Sequence, residues 1–436
     1  MLLIRDALIA GARTPAPFFG WVRVEGDRIA AVGEGAVPAA EMRADGARVI
    51  DARGRILIPG LVNTHAHSHS SLTRGSAEGM TLEPWIAAVI REQSHLTPEQ
   101  ARVGALATYA EALLSGTTSI LDMCIFPEEA LAAAREIGIR ALIVPYTADS
   151  MSFTPDLGRT AALLRHCRPH DTVRVWVGLH DLETCTDEQI RAGVQLAREQ
   201  GTGVHLHCSE SRASTQKTVA RTGRTPVAQL EHLGVFEAPT HLAHCVWVNQ
   251  SDQRTLAERR ATVAHCPHAN LKVASGIAPV AAMRKAGVRV SLATDGAKAN
   301  NRLDMFDVMK FASLLAKGVA LDPAVLPATD VLAMATREGA VALGIDAGEI
   351  AAGRLADLTL VAADRFHMQP AVPQTVVTNL VHAARGADVD AVIVNGKLLV
   401  EHGRLVSLDQ DELLAHAAAT GRALLADAAA TVNSEQ

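Results

Sequence analysis

Eight short apolar runs, separated by segments with helical periodicity, constrain the fold of this 436-residue chain more than any other feature. Near-continuous apolar strands joined by helices are typical of a parallel sheet covered on both faces. Eight such units predict an α/β fold of the (β/α)8 barrel type, and an open doubly wound sheet is the alternative. The runs are Ile56–Val62, Thr117–Asp122, Ile139–Pro145, Val173–His180, Gly203–His207, Thr240–His244, Ala261–His265 and Val288–Asp295.

The two ends of the chain have a different pattern. Short alternating strands broken by turns occupy residues 1–58, and similar strands, one of them folded around Asn395-Gly396, occupy residues 350–408. Neither end is long enough to bury a sheet face alone. We therefore expect both ends to form one small β-sandwich domain, with the barrel at residues 59–349 and a C-terminal helix and tail at 409–436.

His65 and His67 follow the first apolar run in the sequence His-Ala-His. Residues two apart in an extended chain point to the same side, so the two imidazoles are expected to project together. Neutral imidazole is a common ligand of zinc-like metals, and two of them on a rigid strand form half of a metal site. For the pair alone, two neighbouring surface histidines are the simpler interpretation.

Ionisable residues also lie at or just beyond the ends of the fourth to eighth apolar runs, at the end where barrel enzymes build their active sites. Taken singly, each histidine is more often a hydrogen-bonded filler than a ligand. Their shared position at the carboxyl ends of the strands is what favours one common site. These residues are His180, His205, His207, Glu210, His244, His265, His268 and Asp295.

Zinc takes three or four nitrogen or oxygen ligands, and a catalytic site leaves one position for water. The sequence offers four candidate ligands, which are His65, His67, His207 and Asp295. Glu210 lies three residues beyond the third of these histidines, where a carboxylate can transfer a proton. His244 and Asp295 are candidates to hold or deprotonate the water.

Composition argues against several classes of partner. The net charge is −6 and aromatic residues make up 3% of the chain, so neither a phosphate-binding nor a base-stacking surface is expected. No signal peptide is expected from Met1–Asp6, and no stretch approaches the ~20 apolar residues of a membrane helix. None of the six cysteines forms a Cys-x-x-Cys pair, so we expect reduced, buried thiols in a cytoplasmic protein.

The combination of these residues resembles the metal-dependent amidohydrolase superfamily. The superfamily motifs are His65-Ala-His67, His207 with Glu210, His244-Cys245 and Thr294-Asp295-Gly296. Finer motifs resemble its aminohydrolase branch, which includes 5-methylthioadenosine/S-adenosylhomocysteine deaminases and the related triazine hydrolases. Those finer motifs are Pro59–His65, Leu114–Ser119, Asn270–Pro279, Thr294–Met305 and Ala356–Leu358.

The resemblance covers residues 1 to about 408 and implies a barrel with a small β-sandwich built from both chain ends. It also implies a divalent metal, Zn²⁺ or alternatively Fe²⁺, on the four candidate ligands. By the same resemblance, Glu210 would protonate the substrate and the leaving group, His244 would orient the water, and His180 would contact the heterocycle.

Some positions depart from the pattern of the nucleoside deaminases. Ser94 stands where that pattern has a glutamate that holds ribose hydroxyls, and Glu92 is the alternative two residues away. Trp85 lies close enough to this segment to line a pocket, although packing is its simpler role. His268 stands where a small or β-branched residue is usual.

Two further departures concern the segments after the third and fourth strands. The sequence after the fourth strand is His180-Asp181-Leu182-Glu183 in place of a usual His-x-Pro-Tyr, and Val144-Pro145 replaces an expected arginine. If Asp181 and Glu183 face the pocket, they would suit a substrate rich in N–H donors. We therefore name Glu183, Trp85, Ser94 and His268, together with His180, as candidate substrate-binding residues.

The function predicted is hydrolytic removal of an exocyclic amine from an N-heterocycle, such as a purine or its nucleoside, a triazine or a pterin. Within the enzymes, the alternative is displacement of another leaving group, such as chloride, from a triazine. A non-catalytic scaffold of the same fold is the alternative of a different class. We expect a homodimer or higher homo-oligomer, no nucleic-acid partner and no membrane.

Overall fold

The computed structural model describes residues 1–11, 16–42, 48–166 and 172–434, and the counts given below refer to these residues. The strands are β1 (Leu2–Ile9), β2 (Phe18–Glu25), β3 (Arg28–Glu34), β4 (Arg48–Asp51), β5 (Arg55–Pro59), β6 (Leu61–Ala66), β7 (Thr117–Cys124), β8 (Arg140–Pro145), β9 (Val173–Val175), β10 (Val177–Gly178), β11 (Val204–Cys208), β12 (Thr240–His244), β13 (Thr262–His265), β14 (Arg289–Leu292), β15 (Leu358–Ala362), β16 (Val389–Val394), β17 (Lys397–Glu401) and β18 (Arg404–Leu405). The helices are α1 (Ala39–Met42), α2 (Leu82–Gln93), α3 (Pro98–Leu114), α4 (Pro127–Ile137), α5 (Leu157–His166), α6 (Asp187–Glu199), α7 (Arg212–Thr222), α8 (Pro226–His232), α9 (Gln250–Glu258), α10 (Pro267–Lys272), α11 (Val280–Lys285), α12 (Ala297–Asn300), α13 (Met305–Ala320), α14 (Ala328–Ala335), α15 (Arg337–Ala342), α16 (Val376–His382) and α17 (Gln410–Ser434).

Strands from both ends of the chain form one sheet of nine strands in the described residues. Its order is β18-β17-β16-β15-β5-β1-β2-β3, and β4 pairs with β1. β5 joins the two ends, because it lies parallel to β1 and antiparallel to β15. Alternating residues such as Val22, Leu57 and Leu358 point into a core of their own.

The remaining strands form two parallel sheets, β6-β7-β8-β9 and β10-β11-β12-β13-β14, in the described part of the chain. These strands are buried along almost their whole length, as strands covered by helices on both faces should be. β14 also lies beside β6, where the backbone N–H of Asp295 donates to the carbonyl of His65 at 3.0 Å. Only Trp176 separates β9 from β10. The fold is therefore a mixed α/β fold with parallel sheets.

Local sequence signals explain where the flanking helices begin and end. Thr97 caps α3 by accepting from the backbone N–H of Gln100, while the side chain of Gln100 bonds back to the Thr97 backbone N–H. Proline occupies the first turn of α3, α4 and α8, where its missing N–H costs nothing. Gly138 caps the C-terminus of α4 and Gly223 caps that of α7. Both glycines have the left-handed conformation that favours this residue.

Gly60 divides the first predicted run between two sheets. The expectation that Ile56–Val62 is one barrel strand is therefore wrong, because β5 ends at Pro59 in the mixed sheet and β6 begins at Leu61 in a parallel one. A Cβ at Gly60 would lie 2.1 Å from Thr118 Oγ1 in β7, so only glycine allows the chain to pass β7 at this point. The fourth predicted run, Val173–His180, is likewise divided at Trp176 and ends before His180.

The C-terminal helix α17 extends to Ser434, farther than the expected fraying point near Thr431. Gly421 lets it approach the 3-10 turn Ser68–Thr73, since a Cβ there would lie 2.5 Å from the Leu72 carbonyl oxygen. In the described residues, no helix combines the length and apolar character needed to cross a membrane. Five cysteines are buried free thiols, as expected, and Cys167 lies outside the described residues.

Candidate metal centre and active site

The ends of the parallel strands bring the predicted ligands together. His65 lies in β6 with His67 just beyond it, His207 lies in β11, His244 ends β12, and Asp295 follows β14. Ligand atoms of the first three residues lie within 4.8 Å of one another, and so do those of the set His65, His244 and Asp295. One cluster of five buried or largely buried groups therefore occupies the carboxyl ends of both parallel sheets.

A chain of hydrogen bonds fixes the ring of His65. The Nδ1 of His205 donates to the carbonyl oxygen of His241 at 3.0 Å, so the Nε2 of His205 is an acceptor. That acceptor takes a hydrogen bond from His65 Nδ1 at 2.9 Å. The Nε2 of His65 is therefore an unprotonated lone pair, and it is buried without a hydrogen-bond partner.

His67 and His207 are oriented in the same way by backbone carbonyls. His67 Nδ1 donates to the carbonyl of Met123 at 2.7 Å, and His207 Nδ1 donates to that of His180 at 2.8 Å. Their Nε2 atoms consequently face each other as lone pairs at 3.3 Å. Outer hydrogen bonds of this kind are what hold histidine ligands of metals in one tautomer and direction.

The converging lone pairs fit a cation. Burial lowers the pKa of His67 to about 3 and those of His65 and His207 well below the ordinary value, so all three rings are neutral at neutral pH. Asp295 Oδ1 lies 3.6 Å from His65 Nε2 and 3.4 Å from His67 Nε2. Three imidazole nitrogens and a carboxylate match the donor set of a catalytic zinc-type site, and the protein has a site for one divalent metal.

Asp295 is held in an unusual backbone conformation. Its φ of 62° lies in the left-handed region, and its Oδ1 accepts the backbone N–H of Gly296 at 2.6 Å. A Cβ at Gly296 would lie 2.5 Å from Ser70 Oγ and 3.0 Å from His67 Cβ. Position 296 must therefore carry a residue as small as glycine, so that the loop after β14 can pack against the segment that contains His67.

Glu210 and His244 form a second functional pair beside the ligands. Burial raises the pKa of Glu210 to about 7; the nearby His244 opposes this shift, whereas the negative charges of Asp295, Asp181 and Glu183 add to it. Glu210 Oε2 lies 3.8 Å from His244 Nε2, and His244 Nδ1 lies 2.8 Å from Asn270 Oδ1. A carboxyl group with this pKa can both give and take a proton near neutral pH.

A cleft opens above these groups, and it brings three of the candidate ligands, together with Glu210 and His244, to one surface that a small ligand can reach. One wall is a single face of α2. Its members follow helical spacing and are Leu82, Trp85, Ile86, Val89, Ile90 and Gln93. The opposite side includes Tyr146, whose ring stacks on that of His180 with centroids 4.3 Å apart.

Two of the five predicted substrate-binding residues, His180 and Trp85, line the cleft. Glu183 lies in an adjoining cavity and pairs with Lys217 at 2.9 Å. Asp181 accepts the backbone N–H groups of Glu183 and Thr184, so it stabilises its own turn. The adjoining cavity shares His180, His207 and Glu210 with the cleft, so the two acidic residues lie beside the site without lining the cleft itself.

Ser94 and His268 do not reach the cleft. Ser94 is exposed at the end of α2, where its hydroxyl lies 3.3 Å from the carbonyl of Arg91. His268 stacks on Phe311 and lies 3.5 Å from Asp307. Neither residue lines the cleft, because the helical periodicity of α2 turns position 94 outward and α10 turns His268 toward α13. Their role in substrate binding stays a prediction from the sequence.

Among the cleft residues that were missed in the sequence are His69, Gln93 and Tyr146. His69 hydrogen-bonds Gln93, yet His69 Nδ1, Gln93 Nε2 and Trp85 Nε1 are buried without partners. Such atoms are available to a bound ligand. The spacing of 85, 89 and 93 along one helix face was the available signal for Gln93.

Comparison with known proteins agrees with this geometry. Residues 56–399 match the model of the amidohydrolase family. A 5'-deoxyadenosine deaminase of Methanothermobacter thermautotrophicus is 40% identical over 92% of this chain and 94% of its own length. A 5-methylthioadenosine/S-adenosylhomocysteine deaminase of Moorella thermoacetica is 38% identical over 95% and 97%.

A solved structure is similar along the whole chain. The adenosine deaminase from Xanthomonas campestris, solved with bound zinc, superposes with a TM-score of 0.91 and 29% identity over 98% of both chains. The match to the family model extends over most of the chain, and it includes the ligand cluster and Glu210. The chain belongs to the amidohydrolase family.

Proposed function

We propose that the protein is a metal-dependent aminohydrolase that removes the exocyclic amine of an N-heterocycle and releases ammonia or an amine. The observation that carries this proposal is the juxtaposition of three neutral, inward-facing imidazoles with a buried carboxyl group whose pKa is about 7. The deaminase names of relatives that align along nearly the whole chain support the same reaction.

The architecture we propose is the one expected from the sequence. The contact of β14 with β6 and the short break at Trp176 support closure of the two parallel sheets into a (β/α)8 barrel. The mixed sheet supports a small β-sandwich domain of residues 1–58 and 350–408, next to a catalytic barrel of 59–349 and the segment 409–436.

We assign the metal to the four groups whose donor atoms converge, with zinc as the first choice and Fe²⁺ as the alternative. These ligands are His65, His67, His207 and Asp295. When bound, the metal lowers the pKa of a water ligand so that hydroxide is available near neutral pH.

Glu210 and His244 then carry the proton transfers. Glu210 protonates a ring nitrogen next to the carbon that bears the amine, and water adds to that carbon while His244 holds the water through Nε2. Glu210 next takes one proton from the added oxygen and passes it to the amine. The C–N bond breaks, ammonia leaves, and the remaining hydroxyl proton returns to Glu210, which leaves a carbonyl on the product. Asn270 fixes His244 in the tautomer and direction that this role requires.

Among heterocycles, we propose an adenosine-type nucleoside whose 5' position lacks the ordinary hydroxyl. This choice rests on the relatives named for 5'-deoxyadenosine and 5-methylthioadenosine. The cleft supports it, because an apolar wall on α2 suits an uncharged 5' substituent and the free polar atoms of His69, Trp85 and Gln93 suit sugar hydroxyls.

The test is a product screen with metal-reconstituted protein. Adenosine, 5'-deoxyadenosine, 5-methylthioadenosine, S-adenosylhomocysteine, aminopurines, pterins and amino- and chloro-triazines are each assayed for released ammonia and chloride. Ammonia from a nucleoside supports the proposal, chloride from a triazine supports the alternative hydrolase, and no product from any compound contradicts both. A protein that takes up no metal would favour the scaffold.

Location and assembly are predictions from the sequence. A cytoplasmic location follows from the reduced thiols expected of six unpaired cysteines. A homodimer or larger homo-oligomer is expected from the resemblance and is checked by light scattering.

A further inference from the structure

The wall of the cleft formed by α2 depends on how that helix is held. Six of its side chains, at positions 82, 85, 86, 89, 90 and 93, face the cleft along one side. The proposed metal ligands and Glu210 lie in or just beyond other elements, β6, β11 and β14. A shift of α2 would therefore change the shape of the cleft without moving the ligands.

An ion pair ties the last turn of α2 to the segment that carries Asp295. Lys298, in α12, forms an ion pair with Glu92 through its Nζ and the carboxylate Oε2. The Lys298 side chain is 0% exposed and that of Glu92 is 13% exposed. Ser76 Oγ donates to the same carboxylate oxygen of Glu92 at 3.3 Å.

The burial of this lysine makes its partner important. Burial lowers the pKa of Lys298 and the hydrogen bond to Glu92 raises it, so the charged form depends on that carboxylate. When its counterion moves away, an ammonium group that is shielded from water loses much more electrostatic stabilisation than an exposed ammonium group does. Displacing the end of α2 would leave both charges poorly compensated.

The other end of α2 is held differently. Glu83 lies 3.8 Å from Lys217, and both side chains are about half exposed. An exposed pair at this distance is screened by water and contributes little. The two ends of the helix are thus unequal, with a buried attachment near Gln93 and a weak one at Glu83.

We propose that Lys298 is a positioning residue, which acts through Glu92 to fix α2 and thereby the substrate wall of the cleft. Lys298 lies three residues beyond Asp295 and therefore ties this wall to the metal-bearing segment. This inference rests on the proposed function only for its kinetic test. Whether α2 is held by the pair can be measured without any substrate.

The experiment compares Lys298→Met, Glu92→Gln and the double variant with the unchanged protein, all metal-loaded. Hydrogen exchange of the α2 amides is expected to rise at least tenfold in each variant, with that of α13 unchanged and the metal content retained. With the nucleoside that the enzyme deaminates as substrate, KM is expected to rise at least tenfold while kcat changes less than threefold. The double variant should be no worse than the more affected single variant, because both residues act through one contact.

The matched control is Arg198→Met on α6, which removes an exposed ion pair with Glu237. This variant should change neither the hydrogen exchange of α2 nor KM. Unchanged α2 exchange in both single variants would overturn the proposal, and so would additive effects in the double variant. If Lys298→Met does not fold, Glu92→Gln alone decides by the exchange measurement. Failure of the screen for a substrate would count against the proposed function and leave the exchange result valid.

Discussion

His65 Nδ1 lies 2.9 Å from His205 Nε2, which makes one histidine the orienting partner of another beneath the ligand cluster. His205 is itself directed by the carbonyl of His241 at 3.0 Å. The direction of the first ligand is therefore set by a residue that lies in a different parallel sheet, and the metal site depends on contacts between the two sheets.

The first prediction concerns this outer partner. His205→Phe keeps the ring volume but removes the acceptor for His65 Nδ1, so the tautomer of His65 is no longer fixed. We expect the metal affinity to fall about 10- to 100-fold. Competition with a chelator measures it, with His416→Phe, an exposed change on α17, as the control. An unchanged affinity would show that His205 has no orienting role.

The second prediction concerns the proton carrier. Glu210→Gln keeps the shape of the side chain but cannot exchange protons, so turnover should fall about 10²- to 10⁴-fold. Bound metal should be unaffected, because the carboxylate is not among the four assigned ligands. The matched control is Glu258→Gln, which alters an exposed glutamate of α9. Turnover within twofold of the unchanged protein would rule out this role for Glu210.

The third prediction concerns the space at Gly296. Gly296→Ala places a Cβ 2.5 Å from Ser70 Oγ and 3.0 Å from His67 Cβ, so the Asp295 loop must move. We expect a loss of about 1–3 kcal/mol of stability from overpacking, together with weaker metal binding. Thermal unfolding with and without metal tests this, and Gly318→Ala, where nothing lies within 4 Å, is the control. Wild-type metal binding in Gly296→Ala would contradict the tight fit.

The fourth prediction concerns the metal-free protein at acid pH. Burial lowers the pKa values of His67 and His265 to about 3 and that of His241 to about 4. Histidine in the unfolded chain has a pKa near 6.5. Below that pH the unfolded state binds protons that the folded state does not bind, so the free energy of unfolding falls as the pH falls. Each such histidine should contribute about 2 kcal/mol of destabilisation at pH 5.

Glu210 works in the opposite direction within the same range. Its folded pKa of about 7 lies above the ordinary 4.5, so its burial becomes less costly as pH falls between those values. One such group offsets only part of the effect of three histidines. Urea unfolding in the presence of a chelator should therefore give a lower free energy at pH 5 than at pH 7, and an increase would contradict the prediction.

The metal site could be predicted from the sequence because its chemistry is tied to strand ends. The proposed ligands His65, His67, His207 and Asp295 each lie at or just beyond the end of an apolar run, and parallel strands bring their carboxyl ends together. The substrate side could not be predicted as well, since a shift of one helical position separates exposed Ser94 from cleft-lining Gln93.

Local sequence context also failed to reveal interactions that depend on distant contacts. Glu183 is acidic beside the site, but Lys217, 34 residues later, pairs with it outside the cleft. Tyr146 follows β8 and His180 follows β10, although their rings stack. Polarity of a segment indicates that it is near a site, whereas the direction of each side chain depends on its tertiary partners.

The division of the chain at Gly60 has a consequence for biogenesis. Gly60 alone separates β5 from β6, the strand that carries His65. β5 pairs with β15, which lies about 300 residues later in the chain. During synthesis, β5, which leads directly into the strand that bears His65, therefore lacks this neighbour until β15 has been made. We therefore expect stable metal uptake to follow the synthesis of β15, because a chain that stops before Leu358 has no partner for β5 on that side.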